Sequence, residues 1–589
     1  MPLTDLTWNT TILYPAPDSP ELEAHLGSYE PSAANFRDRY FGRVASLENS
    51  ALFGAIREYE ELQARMAQPF CYAHLLFASD SGNETFRALS QRCSELGSRL
   101  SQQLLFFDLE LMELDDERFE SLRMFPEAAV YLHFLEGIRK FRPHTLTESE
   151  ERLLTRKDLT GVRAFTKLFD ELSASFSYQM ELDGKQRDFT GEELLALLHH
   201  TSPDVRFRAM TLFLERHGEH GIVYNAVFNN MALDHGQEME LRHYISPIQP
   251  TNIGNEIPDE AVEHLMSVTE NNYALAQDYF KIKAGMLKMD KLRNCDIYAP
   301  VSETERSYTF GEARDLVIAS YREYDHEFGD IVEAFFSERR VDVLPRTGKS
   351  GGAFAMGISP DLPPFLLLNF TGTLRDLATI AHEAGHGLHF VLSRKQSMMN
   401  YHAPLPLAET ASVFGEMLLT RKLLDNEHDP GVRRSLLCAK IEDIIATTFR
   451  QTVLTRFELR LHKERAGGLL SNDRIAAIWL EENSKLYGDS VEMIPTYRWG
   501  WSYISHFIHS RFYCYSYTFA ELLVLALFQK YREDGNSFKS GYHSLLESGG
   551  ALSPADTARL AGIDIADRGF WQKGYDVLAL LIDELKHTV

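Results

Sequence analysis

The sequence predicts a mainly helical protein with one small β element, on three observations. Apolar residues recur at three- and four-residue spacing in long stretches such as "ENSALFGAIREYEELQARMAQPFCYAHLLFASD" and "FRALSQRCSELGSRLSQQLLFFDLELMEL". Glycine and proline punctuation is sparse until the middle of the chain. There "RTGKSGGAFAMGISPDLPPFLLLNFTGT", residues 346–373, surrounds the short apolar run "FLLLNF" with Gly and Pro and reads as a small β element.

Helix starts are marked by their caps. Ser202 is an N-cap residue type, Pro203 suits the first helical position and Asp204 the first turn. Thr373 with Asp376 makes a capping-box start. Leu374, Leu377, Ala378 and Ala381 then form one apolar stripe, so a helix follows the β element directly. No fixed-period repeat or low-complexity tract divides the chain. A soft boundary near residue 190 separates an N-terminal helical region, 1–190, from a catalytic region, 191–589.

The 589 residues suffice for two to four average domains or one large enzyme. Lys and Arg total 60 against 85 Asp and Glu, a formal net charge of −25. A field of that sign repels nucleic acid and anionic membranes. The N-terminus has no basic stretch followed by an apolar one, so no secretory signal is expected. Apolar runs such as "LLVLALF", 522–528, are too short to span a bilayer. Cys71, Cys93, Cys295, Cys438 and Cys514 are scattered and form no CxxC pair. That excludes a disulfide framework or thiolate zinc site and leaves the cytoplasm as the expected compartment.

The chemistry concentrates in "TIAHEAGHGLHF", residues 379–390. His382 and His386 are one turn apart on one helix face, so both imidazoles can reach one metal ion. Glu383 lies beside that face, where its carboxylate can act as a base, which is the HExxH arrangement of zinc peptidases. Gly385 and Gly387 flank the histidines. Glycine costs about 1 kcal/mol in a helix interior, so its presence there means that something approaches closely.

A catalytic zinc takes three protein ligands and keeps an open position. His389 shares the face but lies about 10 Å along the helix axis from His382, too far to converge on the same ion. "PLPLAETASVFGEMLL" supplies the alternative. A new helix is expected near Leu407, with Glu409 in its first turn as third ligand and Glu416 two turns on as a partner for a histidine N–H.

"NFTGTLRDLATIAHEAGHGLHF" followed by "PLAETASVFGE" resembles the thimet oligopeptidase family of zinc peptidases, and within it the oligoendopeptidase F group. "YAPVSE", 298–303, and "GGAFAMG", 351–357, resemble family segments too. The resemblance implies a multi-helical, zincin-like peptidase with a deep active-site cavity and one zinc per chain. It implies His382, His386 and Glu409 as ligands, Glu383 as general base, and short peptides as substrates. Gly351, Gly352, Ala353 and Phe354 are then the candidate substrate-binding residues, on a flexible covering loop, with "FLLLNF" as an edge strand open to an extended peptide.

"WSYISHFIHSRFYCYSYTFAELL", residues 501–523, places His506, His509, Tyr513 and Tyr517 on one helical stripe. The resemblance implies that His506 and one of Tyr513, Tyr515 and Tyr517 stabilise the tetrahedral intermediate, and helical phase favours Tyr513 and Tyr517. "HGEH", His217 to His220, has metal spacing without a third ligand and reads as a solvated helix end. Two rival functions remain: a metallocarboxypeptidase of related fold, and a non-catalytic peptide-binding protein with a structural zinc, in which Glu383 would have no purpose.

Overall fold

The computed structural model describes residues 6–301 and 306–588, except the side chain of Glu148. Residues 302 and 303 of the "YAPVSE" segment lie outside the described residues. The elements that position the sites are α1 (Pro20–Tyr40), α2 (Asn49–Ser79), α3 (Glu84–Met112), α4 (Phe310–Tyr324), α5 (His326–Ser337), β1 (Val341–Asp342), β2 (Phe354–Met356), β3 (Phe365–Leu367), α6 (Leu374–Leu392), α7 (Ser412–Asn426), α8 (Gln451–Arg465), α9 (His506–His509) and α10 (Tyr515–Asp534). As the periodicity predicts, helix dominates. No described helix is long and apolar enough to cross a membrane.

The chain forms two compact units, each built from separated stretches. Unit 1 comprises residues 1–142, 305–426 and 530–564; unit 2 comprises 143–304, 427–529 and 565–589. A single boundary near residue 190 does not describe this division.

In unit 1, α1, α2 and α3 pack around one apolar core that also takes in Ile358, Phe365 and Leu367. The helices preceding residue 142 therefore share a core with the strand that leads into the HExxH helix. The sheet has the order β1-β3-β2. β3 pairs in parallel with β1, Val341 opposite Leu366, and antiparallel with β2, Ala355 opposite Leu366. "FLLLNF" is thus the central strand and β2 an edge, contrary to the expectation of an edge at β3. Three consecutive fully buried residues, Phe365, Leu366 and Leu367, explain why. A strand apolar on both faces is covered on both sides and paired on both edges.

α6 opens with the predicted capping box. Thr373 Oγ1 accepts from the Asp376 N–H at 3.2 Å, and Asp376 Oδ2 accepts from the N–H groups of Thr371, Gly372 and Thr373 at 2.9–3.0 Å. α6 and α7 then meet backbone to backbone. A Cβ on Gly385 would stand 2.5 Å from Ser412 Cα and closer still to Ala411 O. A Cβ on Gly387 would stand 2.8 Å from the Phe335 ring, and one on Gly415 would overlap Tyr321 Oη. Tyr321, from α4, donates to Ala381 O at 2.7 Å across the same contact.

Unit 2 adds a β-hairpin that the helical reading missed, Tyr178–Leu182 with Lys185–Phe189. Its turn residues, Asp183 and Gly184, both have positive φ (54° and 73°). Asp-Gly is a favoured pair for such a turn, so the signal lay in the turn and not in the strands. The stretch 501–523 is also not one helix. α9 ends at His509, Phe512 takes a φ of 57°, and α10 starts at Tyr515. The buried Glu458 of α8 accepts the Phe512 N–H at 3.0 Å and so holds the break from outside the stretch.

The helix contact gives opposite signs for two glycine substitutions. Gly236, in the helix Gly221–Leu241, has nothing within 4 Å of a built Cβ. Gly236→Ala should raise stability by up to ~1 kcal/mol through helix propensity. Gly385→Ala should lower it by ~1–3 kcal/mol despite the same propensity gain, because α7 must move. Thermal unfolding of both variants checks the pair; a Gly385→Ala protein as stable as the parent would contradict the close contact.

Candidate active site

Unit 1 brings His382, His386 and Glu409 together. His382 Nε2 and His386 Nε2 are 3.1 Å apart, and Glu409 Oε2 lies 3.3 Å from the first and 3.4 Å from the second. All three side chains are half-buried. Glu409 does not sit in the first turn of a helix. It occupies the turn between the short helix Leu405–Ala408 and α7, where its carbonyl accepts the Val413 N–H at 3.1 Å. Pro404 and Pro406 bring this short approach segment in ahead of α7. Ser412 Oγ donates to Glu409 Oε2 at 2.6 Å, an orienting contact that the sequence reading missed because a Ser three residues after a Glu is commonplace.

The remaining ring nitrogens point away from this triangle. His382 Nδ1 meets Glu416 Oε1 at 2.7 Å, the pairing expected for Glu416. The Ala408 carbonyl lies near His386 and favours its charged form. Burial opposes charge on His382, but Glu416, Glu409 and Glu383 outweigh it and lift its pKa to about 9. Burial, only partly offset by Glu409, holds His386 below the ordinary range. The Nε2 atoms of His382 and His386 and Oε2 of Glu409 thus face one another.

That donor set fits a zinc ion. Bonds of about 2.0–2.1 Å in tetrahedral directions put ligand atoms about 3.3–3.4 Å apart, close to the triangle seen here. Two imidazoles and one carboxylate are a ligand set that zinc accepts. The contact from Glu416 would orient His382 toward it.

Glu383 is 6% exposed. Burial raises its pKa to about 7, with opposition from His382 and a bond from the Ala355 backbone. Its Oε2 is buried without a hydrogen-bond partner among the described residues. Ala355 belongs to the edge strand β2, so the base and the strand edge are adjacent. The loop before β2 is tethered. Lys349 Nζ lies 2.7 Å from Asp342 Oδ1 and donates to Leu344 O at 2.9 Å, and Arg346 grips both Asp342 oxygens at 2.6 and 2.8 Å. The Ser350 N–H donates to Ala78 O at 2.8 Å. A flexible cover does not match these contacts. Gly351 and Gly352 are exposed on this anchored loop, and Ala353 and Phe354 are half-buried.

His389 is buried and apart from the triangle. Burial, then the charge of His386, holds its pKa down to about 4. His217 is also buried, with its Nδ1 2.8 Å from Phe213 O, and so is not a solvated helix end. One further group with metal-ligating atoms, Asp325, Glu327 and His543, is looser: the His543 Nε2 distances to the carboxylates are 4.0 and 3.9 Å.

In unit 2 the break at Phe512 brings residues from both sides together. His506 Nε2 lies 3.2 Å from Tyr517 Oη, and the rings of Tyr513 and Tyr517 meet edge to face at 5.0 Å. His506, Tyr513 and Tyr517 are half-buried. Tyr515 is wholly buried, and its hydroxyl accepts from Asn255 Nδ2 at 2.8 Å. His509 turns away to Asp170 Oδ1 at 2.8 Å. The grouping expected from an unbroken helix therefore arises from a broken one, without His509.

Comparison with known proteins shows the family. Residues 196–577 match the model of peptidase family M3, and residues 110–178 match that of oligopeptidase F. The group B oligopeptidase PepB of Streptococcus agalactiae is 26% identical over 552 residues, covering 92% of this chain and 91% of that protein. Oligopeptidase PepF of Bacillus subtilis is 25% identical over 533 residues, covering 90% and 79%. Among solved structures, a putative peptidase from Chlamydophila abortus superimposes with a TM-score of 0.91 at 25% identity, over 100% of this chain and 99% of that one. Oligoendopeptidase F from Enterococcus faecium shares the fold at a TM-score of 0.71, with 96% and 97% covered and 23% identity. With a family model matched over more than half its length, this chain belongs to peptidase family M3, as a metalloendopeptidase of the oligoendopeptidase F group.

Proposed function

We propose that this chain is a zinc-dependent endopeptidase that hydrolyses internal bonds of short peptides. His382, His386 and Glu409 hold the one zinc, and Glu383 is the general base. The carrying observation is the triangle of acceptor atoms 3.1–3.4 Å apart beside a buried carboxylate with an unbonded oxygen. A bound zinc supplies Lewis acidity and lowers the pKa of water at the site. Glu383 takes the proton from that water onto its carboxylate and later gives it to the leaving amine. Glu416 fixes the His382 ring through Nδ1. The outward edge of β2, beginning at Phe354 and following Gly351, Gly352 and Ala353, is the place for an extended substrate backbone. All five cysteines are free, which supports action in the cytoplasm.

His506 and a tyrosine take the oxyanion role in this reading. Tyr517 and Tyr513 are the candidates, because the Tyr515 hydroxyl is already bonded in the core. A neutral phenol donates a hydrogen bond without competing for the metal.

The roles separate experimentally. Glu383→Gln should retain about one zinc per chain while turnover of a peptide blocked at both ends falls by at least ~10². Glu409→Ala should lose the metal on dialysis, and His389→Ala should keep it. Metal analysis decides: zinc lost from Glu383→Gln, or kept in Glu409→Ala, contradicts the assignment. Failure of the parent protein to cleave the doubly blocked peptide would point to an exopeptidase or a structural metal.

For the tyrosines, Tyr517→Phe or Tyr513→Phe should lower kcat by ~10²–10³ with little change in KM. Tyr515→Phe should lower thermal stability and leave kcat within a few-fold. A normal kcat in both of the first two variants would make the cluster packing only.

A further inference from the structure

Unit 2 holds a cation to which neither the packing nor the zinc chemistry gives a task. Between the helix Pro430–Ile444 and α8, the backbone runs as a π-turn, Ile445–Arg450. Such turns concentrate at functional sites, because they re-aim side chains at the expense of regular helical bonding. Arg450 ends this turn and is half-buried. One nitrogen, Nη2, donates to Tyr503 Oη at 3.3 Å. The hydroxyls of Tyr298, Tyr487 and Tyr497 also lie within electrostatic reach of the guanidinium. Tyr497 is engaged elsewhere, donating to Asn483 Oδ1 at 3.1 Å.

Among the described residues no carboxylate pairs with Arg450. The arginines that follow on α8 are matched: Arg456 reaches Glu263 and Glu270 at 2.7 and 2.9 Å, and Arg460 reaches Glu481 and Glu482 at 2.7 and 2.6 Å. Arg450 is also close enough to His506 that its charge, after burial, helps to hold that histidine's pKa down. The unpaired cation therefore stands beside the half-buried Tyr503 and within electrostatic reach of Tyr298 and His506.

We propose that Arg450 is the receptor for a carboxylate of the peptide substrate, taken as a bidentate pair with Tyr298 and Tyr503 alongside. The proposal rests on the peptidase reading. A guanidinium carries five N–H donors in a planar fork that matches a carboxylate, and it stays charged at any working pH. Only one of those donors is bonded here. Tyrosine oxygens solvate the charge without neutralising it, so an incoming carboxylate gains a charge-assisted pair and displaces no resident anion. In a chain of net charge −25, the diffuse field repels acidic peptides. Preference for a carboxylate then needs a local, unpaired cation. The shared chemistry has two sources, a C-terminal carboxylate or an Asp or Glu side chain.

The test is equilibrium binding by fluorescence anisotropy to the zinc-loaded Glu383→Gln protein, which blocks turnover. Four labelled peptides share one sequence: free or amidated at the C-terminus, each with an internal Glu or with Gln in its place. One acid form should bind at least ~10-fold more tightly than its neutral counterpart, and that pair identifies the source. Adding Arg450→Gln should reduce the ratio below ~2. Adding Arg450→Lys, which keeps the charge and most of the volume, should leave it at roughly 3, and it decides the matter if the glutamine variant does not fold. Equal binding of all four peptides, or a ratio unchanged by either substitution, overturns the proposal. Cleavage of the doubly blocked peptide by the parent protein is scored separately. Cleavage with no carboxylate preference removes this site alone, and preference without cleavage removes the peptidase reading alone.

Discussion

The contact between α6 and α7 sets the positions of the donors in unit 1. Two helix backbones come together only where side chains are absent, and Gly385 and Gly415 supply that absence on facing sides. The approach lets glutamates ahead of α7 and within it reach the histidines of α6. Glu409 meets the inner nitrogens of His382 and His386, and Glu416 takes the outer nitrogen of His382. Each glycine costs its helix about 1 kcal/mol in propensity, a cost that is offset by the packing it permits. With a side chain at that contact, Glu409 would stand too far from His382 and His386 to share a cation with them.

Much of unit 1 is legible in the sequence because it is local. HExxH specifies its own geometry once the helix forms, and Thr373 and Asp376 specify where that helix begins. The glycines announce a close approach without naming the partner. Glu409 is reached by excluding His389 on helix rise, an argument that needs only 1.5 Å per residue. What approached Gly385 was not legible, since it comes from a segment some two dozen residues away. The tether of Lys349 to Asp342 was not either. "RTGKSGG" has the composition of a mobile loop, and its anchoring depends on an acid in β1 and on carbonyls across the sheet.

The misreadings share a physical origin. Periodicity assumes that helix continues until a breaker appears, and no glycine or proline marks the break at Phe512. A buried Glu458, more than fifty residues earlier in the chain, accepts the freed N–H there instead. Burial pushes that carboxyl's pKa up to about 8, so the break is held by a group whose environment is wholly tertiary. The make-up of the two compact units is tertiary in the same way. Core sharing between α1–α3 and β3 is a property of the folded unit, and no linker composition marks where the chain passes between units.

The central claim is that two imidazoles of α6 and the carboxylate of Glu409 converge on one zinc. X-ray absorption at the zinc edge of the purified protein tests it directly. The account predicts one zinc per chain with four nitrogen or oxygen neighbours at about 2.0–2.1 Å and the multiple scattering of two imidazole rings. A sulfur shell near about 2.3 Å, or scattering from fewer or more than two imidazoles, would contradict it.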